Sequence, residues 1–208
     1  MMLSIETILA FSATSALLAL MPGPDNLFVL TQSALVGRRA GLMVVLGLCC
    51  GLAVHTAAVA LGLAAAMQAM PAAFTVLKTV GAAYLVYLAW GAFRAGASGG
   101  PGQDTPRLSS GKLVARGFVM NITNPKVAIF MLAFLPQFVV ADQGNIAGQI
   151  LSLGLIMALV TLVVFGGIAL ASGFASEKIA GSSRAQVIMN RMAGVVFLGL
   201  AFKLVTQK

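Results

Sequence analysis

The sequence predicts an all-α, polytopic membrane protein, with six transmembrane helices forming two inverted three-helix repeats and the first helix of each repeat broken by proline. Three observations lead there: an apolar composition, six apolar runs of spanning length, and prolines standing among polar residues inside two of those runs. Of 208 residues, 60% are apolar and 9% charged, against about 45–50% and about 25% in soluble domains. The mean hydropathy is +1.00. So few charges cannot coat a water-facing surface, and the apolar side chains are expected to meet lipid.

A spanning helix needs about 20 mostly apolar residues. Runs at 5–36, 41–66, 71–93, 113–139, 147–172 and 187–205 supply six candidates. The stretches 42–67 and 146–172 hold no Asp, Glu, Lys or Arg at all. The first 21 residues carry Glu6 but no Lys or Arg, so they lack the positive start of a cleaved signal peptide and are expected to remain as the first span. Residues 94–107 are rich in Gly, Pro and Ser and read as a flexible linker. The chain is thus expected to be one transmembrane domain, 1–208, with half-repeats of about 1–93 and 113–208 joined by 94–112.

Thirteen basic residues against five acidic ones give a net charge of +8. They do not form the basic patch that nucleic-acid binding requires; they sit in the gaps between apolar runs. Arg38, Arg39, Arg94, Arg107, Lys112, Arg116, Lys178, Arg184 and Arg191 fall on one side of a six-span layout, and only Lys203 and Lys208 on the other. The positive-inside rule then places both termini outside the cytoplasm. Cys49 and Cys50 are neighbours and cannot form an ordinary structural disulfide with one another.

The first run is too long for one straight span: 32 residues at ~1.5 Å each is roughly 48 Å, against a hydrocarbon core of ~30 Å. In its middle lies Met21-Pro22-Gly23-Pro24-Asp25-Asn26. Each proline removes a backbone donor and clashes with the preceding turn, so the helix must break there. Pro24 precedes Arg38 by 14 residues, placing the break roughly 20 Å inside the cytoplasmic boundary. The fourth run repeats the pattern in Asn121-Ile-Thr123-Asn124-Pro125-Lys126. Irregular backbone at such depth is tolerated where it lines a cavity or is buried in protein. Lys78-x-x-Gly81-x-x-Tyr84-Leu85 in the third run corresponds to Arg191-x-x-Gly194-x-x-Phe197-Leu198 in the sixth. Inverted repeats with helices discontinuous at equivalent places mark secondary transporters, with substrate held at the breaks.

Asp25 is the acid expected within the hydrocarbon region, since Glu6, Asp104, Asp142 and Glu177 fall at span ends or in loops. An intramembrane carboxylate normally faces a polar cavity. Asp25 is a candidate to bind a substrate ammonium, to carry a coupling proton, or to cap the following half-helix. Lys126 is a candidate for a substrate carboxylate or as the counter-charge of Asp25; snorkelling to the headgroups is the alternative. His55, the sole histidine, is a proton relay or an interhelical hydrogen-bonding group. Gly47-x-x-x-Gly51 permits close helix approach, within the chain or in a homodimer. One histidine and no Ser/His/Asp set leave no catalytic constellation, so neither an enzyme nor a cofactor is expected. A metal exporter is the alternative function, with Asp25, Cys49, Cys50 and His55 as its ligands; one carboxylate is few for a hard cation.

The chain resembles the LysE/RhtB family of bacterial amino-acid exporters along nearly its whole length. The resemblance rests on Pro22-Gly23-Pro24 and Gly37-Arg38-Arg39-Ala40-Gly41, then Gly47, Gly51 and His55. It continues through Lys78-x-x-Gly81-Ala-Ala-Tyr84-Leu85, Arg116-Gly117-Phe118, Asn121, Thr123-Asn124-Pro125-Lys126 and Phe134-Leu135-Pro136-Gln137-Phe138. It implies an inner-membrane exporter of amino acids, driven by proton exchange. The expected site comprises Pro22, Gly23, Pro24, Asp25, Asn26, His55, Asn121, Asn124, Pro125 and Lys126.

Overall fold

A computed structural model describes residues 3–21, 23–69, 79, 82–83, 86–87, 89–91, 93–94, 108–140, 144–175, 187–188, 191, 194–195, 198–199 and 201–202. Among them every regular element is helical. In chain order these are α1 (Ile5–Leu20), α2 (Pro24–Leu35), α3 (Arg38–Ala69), α4 (Ser110–Thr123), α5 (Pro125–Ile129) and α6 (Ile146–Ala175). After α5 the chain continues as a π turn (Phe130–Phe134) and a 3₁₀ turn (Leu135–Phe138).

The two stretches without charge form the two long helices. α3 has 32 residues and α6 has 30, so each is longer than the ~20 residues that cross a bilayer. Their apolar windows, Arg38–Gly62 and Ile146–Ala171, have mean hydropathies of 2.2 and 2.6. Leu61 and Val163 are more than 70% exposed on them, which suits lipid rather than water.

Both proline breaks bend the chain. α1 and α2 meet at 63°, while α4 and the segment from Pro125 to Phe138 meet at 54°. Counting each bent pair as one span, the described residues hold up to four candidate spans. The expected third and sixth spans (71–93 and 187–205) lie largely outside the described residues, as do Pro22, Lys78, Tyr84, Asp104, Asp142 and Glu177. Within the third run, Trp90 is exposed and carries the Arg94 guanidinium 4.4 Å from its ring centroid, an arrangement suited to a membrane interface.

α3 lies at the centre, packed against α2, α4 and α6. Its crossing with α4 is backbone against backbone. A Cβ on Gly47 would overlap the Val114 carbonyl, and one on Gly117 would overlap that of Val44. Small residues permit this approach without a hydrophobic driving force. The Gly47 close approach is thus made within the chain. One turn further along, Gly51 makes room for Asn121, whose Oδ1 would lie 2.6 Å from a Cβ there.

Two apolar clusters flank the breaks. One gathers Phe11, Leu52, Phe130, Phe134, Phe138 and Leu153; the other gathers Val29, Val44, Val45, Leu48 and Phe165. In the first, the ring of Phe11 lies edge-on to that of Phe138 at 5.1 Å. The polar groups of the breaks are therefore held between two packed regions.

Candidate functional site

The first break leaves carbonyls without their helical donors. Pro22 has no N–H to give the Leu18 carbonyl, and the chain at Gly23 is extended (φ −169°), so the helical ladder ends. Side chains take its place. Lys126 Nζ donates to Leu18 O at 3.2 Å and to Met21 O at 3.4 Å. Asn26 Nδ2 donates to Ala19 O at 2.7 Å. A Cβ at Gly23 would stand 3.3 Å from Lys126 Nζ, so a side chain there would make the ammonium shift by a few tenths of an ångström.

The second break mirrors the first. Pro125 cannot donate to the Asn121 carbonyl. That oxygen accepts from the Asn124 backbone N–H at 3.1 Å and lies 3.3 Å from His55 Nε2. Asn124 Oδ1 caps α5 by accepting from the Lys126 backbone N–H at 3.0 Å. Its Nδ2 donates to Asp25 Oδ2 at 2.8 Å. One asparagine thus ties the second break to the start of α2.

A cavity of about 20 Å³ lies at this junction, large enough for one water-sized group. Ser15, Asp25, Asn121, Lys126 and Thr161 supply its polar lining, and Leu18, Leu48, Leu52, Met157 and Phe165 are among its apolar wall residues. Asp25 is 3% exposed. Asp25 and Lys126 share the cavity but are not hydrogen-bonded to one another: the carboxylate is bound by Asn124 and the ammonium by carbonyls. Three of the lining residues each keep one buried oxygen without a hydrogen-bond partner among the described residues: Ser15 Oγ, Asp25 Oδ1 and Asn121 Oδ1.

Of the expected site residues, Asp25, Asn121 and Lys126 line the cavity. Gly23, Asn26, Asn124 and His55 surround it as supports of the broken backbone, and Pro24 and Pro125 open the half-helices beyond each break. Pro22 lies outside the described residues. His55 is hydrogen-bonded across helices, and a relay is not needed to explain its position. Lys126 turns inward to the first break, which leaves snorkelling aside.

The metal alternative finds no gathered ligands. Among the described residues, no three of His, Cys, Asp and Glu come together. Cys50 is exposed, and Cys49 Sγ lies 3.8 Å from the Ala158 carbonyl.

Sequence reasoning did not single out Ser15 and Thr161. Each is a small hydroxyl residue within an apolar helix, where back-bonding to the preceding turn is the ordinary expectation. Ser15 does stand three residues before Leu18, the carbonyl that Pro22 frees. That offset places it on the same helix face as the break, and this was the available signal.

A family model described as "LysE type translocator" matches residues 16–208. A protein of Vibrio cholerae described as an uncharacterized membrane protein is 31% identical over 207 residues, covering 99% of this chain and all of the relative. The homoserine/homoserine lactone efflux protein of Salmonella typhimurium is 33% identical over 189 residues, 91% of each chain. An uncharacterized membrane protein of Bacillus subtilis is 28% identical over 207 residues, covering 95% of this chain and 98% of the relative. No solved structure matches.

Proposed function

The chain belongs to the LysE type translocator family, and from that premise we propose that it exports a small amino acid or amino-acid derivative across the bacterial inner membrane in exchange for protons. The observation that carries this reading is the placement of Asp25 and Lys126 on one cavity where the two broken helices meet. Opposite charges at such a place suit a zwitterion, and discontinuous helices are where transporters hold substrate. The efflux of homoserine and its lactone by the Salmonella relative makes L-homoserine the first substrate to try.

In this reading the six spans form two inverted repeats with both termini in the periplasm. Exchange arises from competition for Asp25 Oδ1, the oxygen that Asn124 leaves free. Facing the cytoplasm, the deprotonated carboxylate takes the substrate ammonium. Facing the more acidic periplasm, a proton takes the carboxylate and the substrate leaves. The carrier returns protonated and releases the proton inside. One proton enters for each substrate exported, and neither ligand is chemically changed.

Inside-out vesicles containing the protein should accumulate L-homoserine when energised, and a protonophore should abolish that accumulation. Vesicles that accumulate none of the twenty standard amino acids and no homoserine would overturn the export reading. Accumulation indifferent to the protonophore would overturn proton coupling alone. Asp25→Asn, which cannot ionise, should lose proton-driven accumulation.

A further inference from the structure

We infer that Ser15 Oγ, Asp25 Oδ1 and Asn121 Oδ1 together form a subsite for a primary ammonium group, so that this carrier selects its cargo by a free amine. The inference deepens the reading of an amino-acid exporter and rests on it for the cargo. The subsite itself stands on the cavity.

Ser15, Asp25 and Asn121 are 2%, 3% and 3% exposed, line the same cavity, and each leaves one oxygen without a partner. A buried polar atom without a partner is costly, and several around one cavity point to a ligand that satisfies them together. All three atoms accept hydrogen bonds, and one bears charge. The complement is a compact cation with several N–H donors. A primary ammonium supplies three, and at about 20 Å³ the cavity holds a group of that size.

The nearest competing ligand is a hard metal cation, which takes six or more oxygens; three are at hand. A resident ammonium does not fill the role, because Lys126 Nζ is directed to Leu18 O and Met21 O. The carboxylate of an amino-acid substrate would lie on the Lys126 side of the cavity, and its side chain toward the apolar wall of Leu48, Leu52, Met157 and Phe165, which must part to admit it. Those side chains can discriminate by size but offer no polar recognition.

The subsite can be tested apart from transport. The purified full-length protein is titrated with methylammonium chloride, tetramethylammonium chloride or sodium chloride at equal ionic strength, and its thermal unfolding midpoint is tracked. Methylammonium should raise the midpoint saturably, because a ligand that binds only the folded state stabilises it. Tetramethylammonium, with the same charge but no N–H and greater bulk, should not, and neither should sodium. Ser15→Ala should weaken the apparent methylammonium affinity about tenfold, the scale of one hydrogen bond to a charged group. Equal stabilisation by tetramethylammonium or sodium, on the unaltered protein, would overturn the subsite.

A transport arm separates this inference from the export reading. Proteoliposomes should carry L-homoserine and refuse N-acetyl-L-homoserine, in which the amine is an uncharged amide. Equal transport of both would overturn selection by the amine and leave amino-acid export standing. Methylammonium binding with no amino acid carried would uphold the subsite and remove the export reading.

Discussion

Asn124 uses both ends of its amide: Oδ1 holds the first free N–H of α5, and Nδ2 holds Asp25 Oδ2. Asn124→Ser keeps a capping oxygen but is too short to keep the bond to Asp25. Asn124→Asp keeps the cap and sets a second carboxylate against the first. Like charges in a buried site resist ionising together, so Asn124→Asp should cut homoserine transport at least tenfold and more deeply than Asn124→Ser. Initial uptake rates of the two variants at matched expression decide it; equal rates would remove the link to Asp25. Asn26 is the contrasting case. Its Nδ2 closes the Ala19 carbonyl, so Asn26→Ala should cost about 1 kcal/mol, the net worth of one such bond, read as a lower unfolding midpoint. An unchanged midpoint would mean that this carbonyl finds another donor. Asp25, Asn124 and Lys126 were legible in the sequence because charge and amide beside proline, deep in an apolar run, are conspicuous. Ser15 was not, since its only signal, an offset of three residues from Leu18 on the same helix face, does not stand out among ordinary helical serines.

At the scale of the element, α3 and α6 were the most legible, since uninterrupted apolar sequence over 42–67 and 146–172 admits no other reading. The break at Pro125 was equally plain. The winding of the chain beyond α5 was hidden. The expected span ran helically to residue 139, whereas the chain widens into a π turn at Phe130–Phe134 and tightens into a 3₁₀ turn at Leu135–Phe138. The cause is Pro136, which cannot donate to the Leu132 carbonyl. The ladder slips by one residue instead, and the Leu135 N–H reaches Phe130 O. This shift helps set the directions of Phe130, Phe134 and Phe138, whose rings pack against each other and Phe11. Restoring the donor with Pro136→Ala should let ordinary helix spread through the segment and turn those rings out of register. The expected result is transport reduced severalfold with the protein still inserted, because π turns recur at functional sites. Unaltered transport would show that the aromatic cluster tolerates either winding. At the α3–α4 crossing, Gly47→Ala should destabilise by about 1–3 kcal/mol, the usual cost of overpacking, because the obstacle is the Val114 carbonyl rather than a movable side chain. A midpoint equal to the parent's would mean that the two helices part easily.

On the scale of the whole molecule, each break is closed from the other half of the chain. Lys126, beside the second break, binds the Leu18 carbonyl that Pro22 frees; His55, in the first half, lies against the Asn121 carbonyl that Pro125 frees. If one half rocks against the other, as the proposed inverted repeat requires, both contacts would be strained at once, and opening would be coupled to what occupies the cavity. Orientation decides which ends of the helices meet the cytoplasm. The basic residues supply the expectation: Arg38 and Arg39 open α3, and Lys112 and Arg116 lie in the first turns of α4, so those ends belong in the cytoplasm. Gly144 and Asn145, exposed just before α6, belong outside. Single cysteines at Ser109 and Asn145, placed in a chain with Cys49 and Cys50 replaced by alanine, test this with a membrane-impermeant maleimide. In intact spheroplasts the cysteine at 145 should label and that at 109 should not; inside-out vesicles should reverse the pattern. The cysteine-free parent should still carry homoserine, since neither thiol lines the cavity. If 109 labels from outside instead, the expected orientation is overturned, while proton exchange would still drive export, because the proton gradient and not the orientation of the carrier sets the direction of net transport.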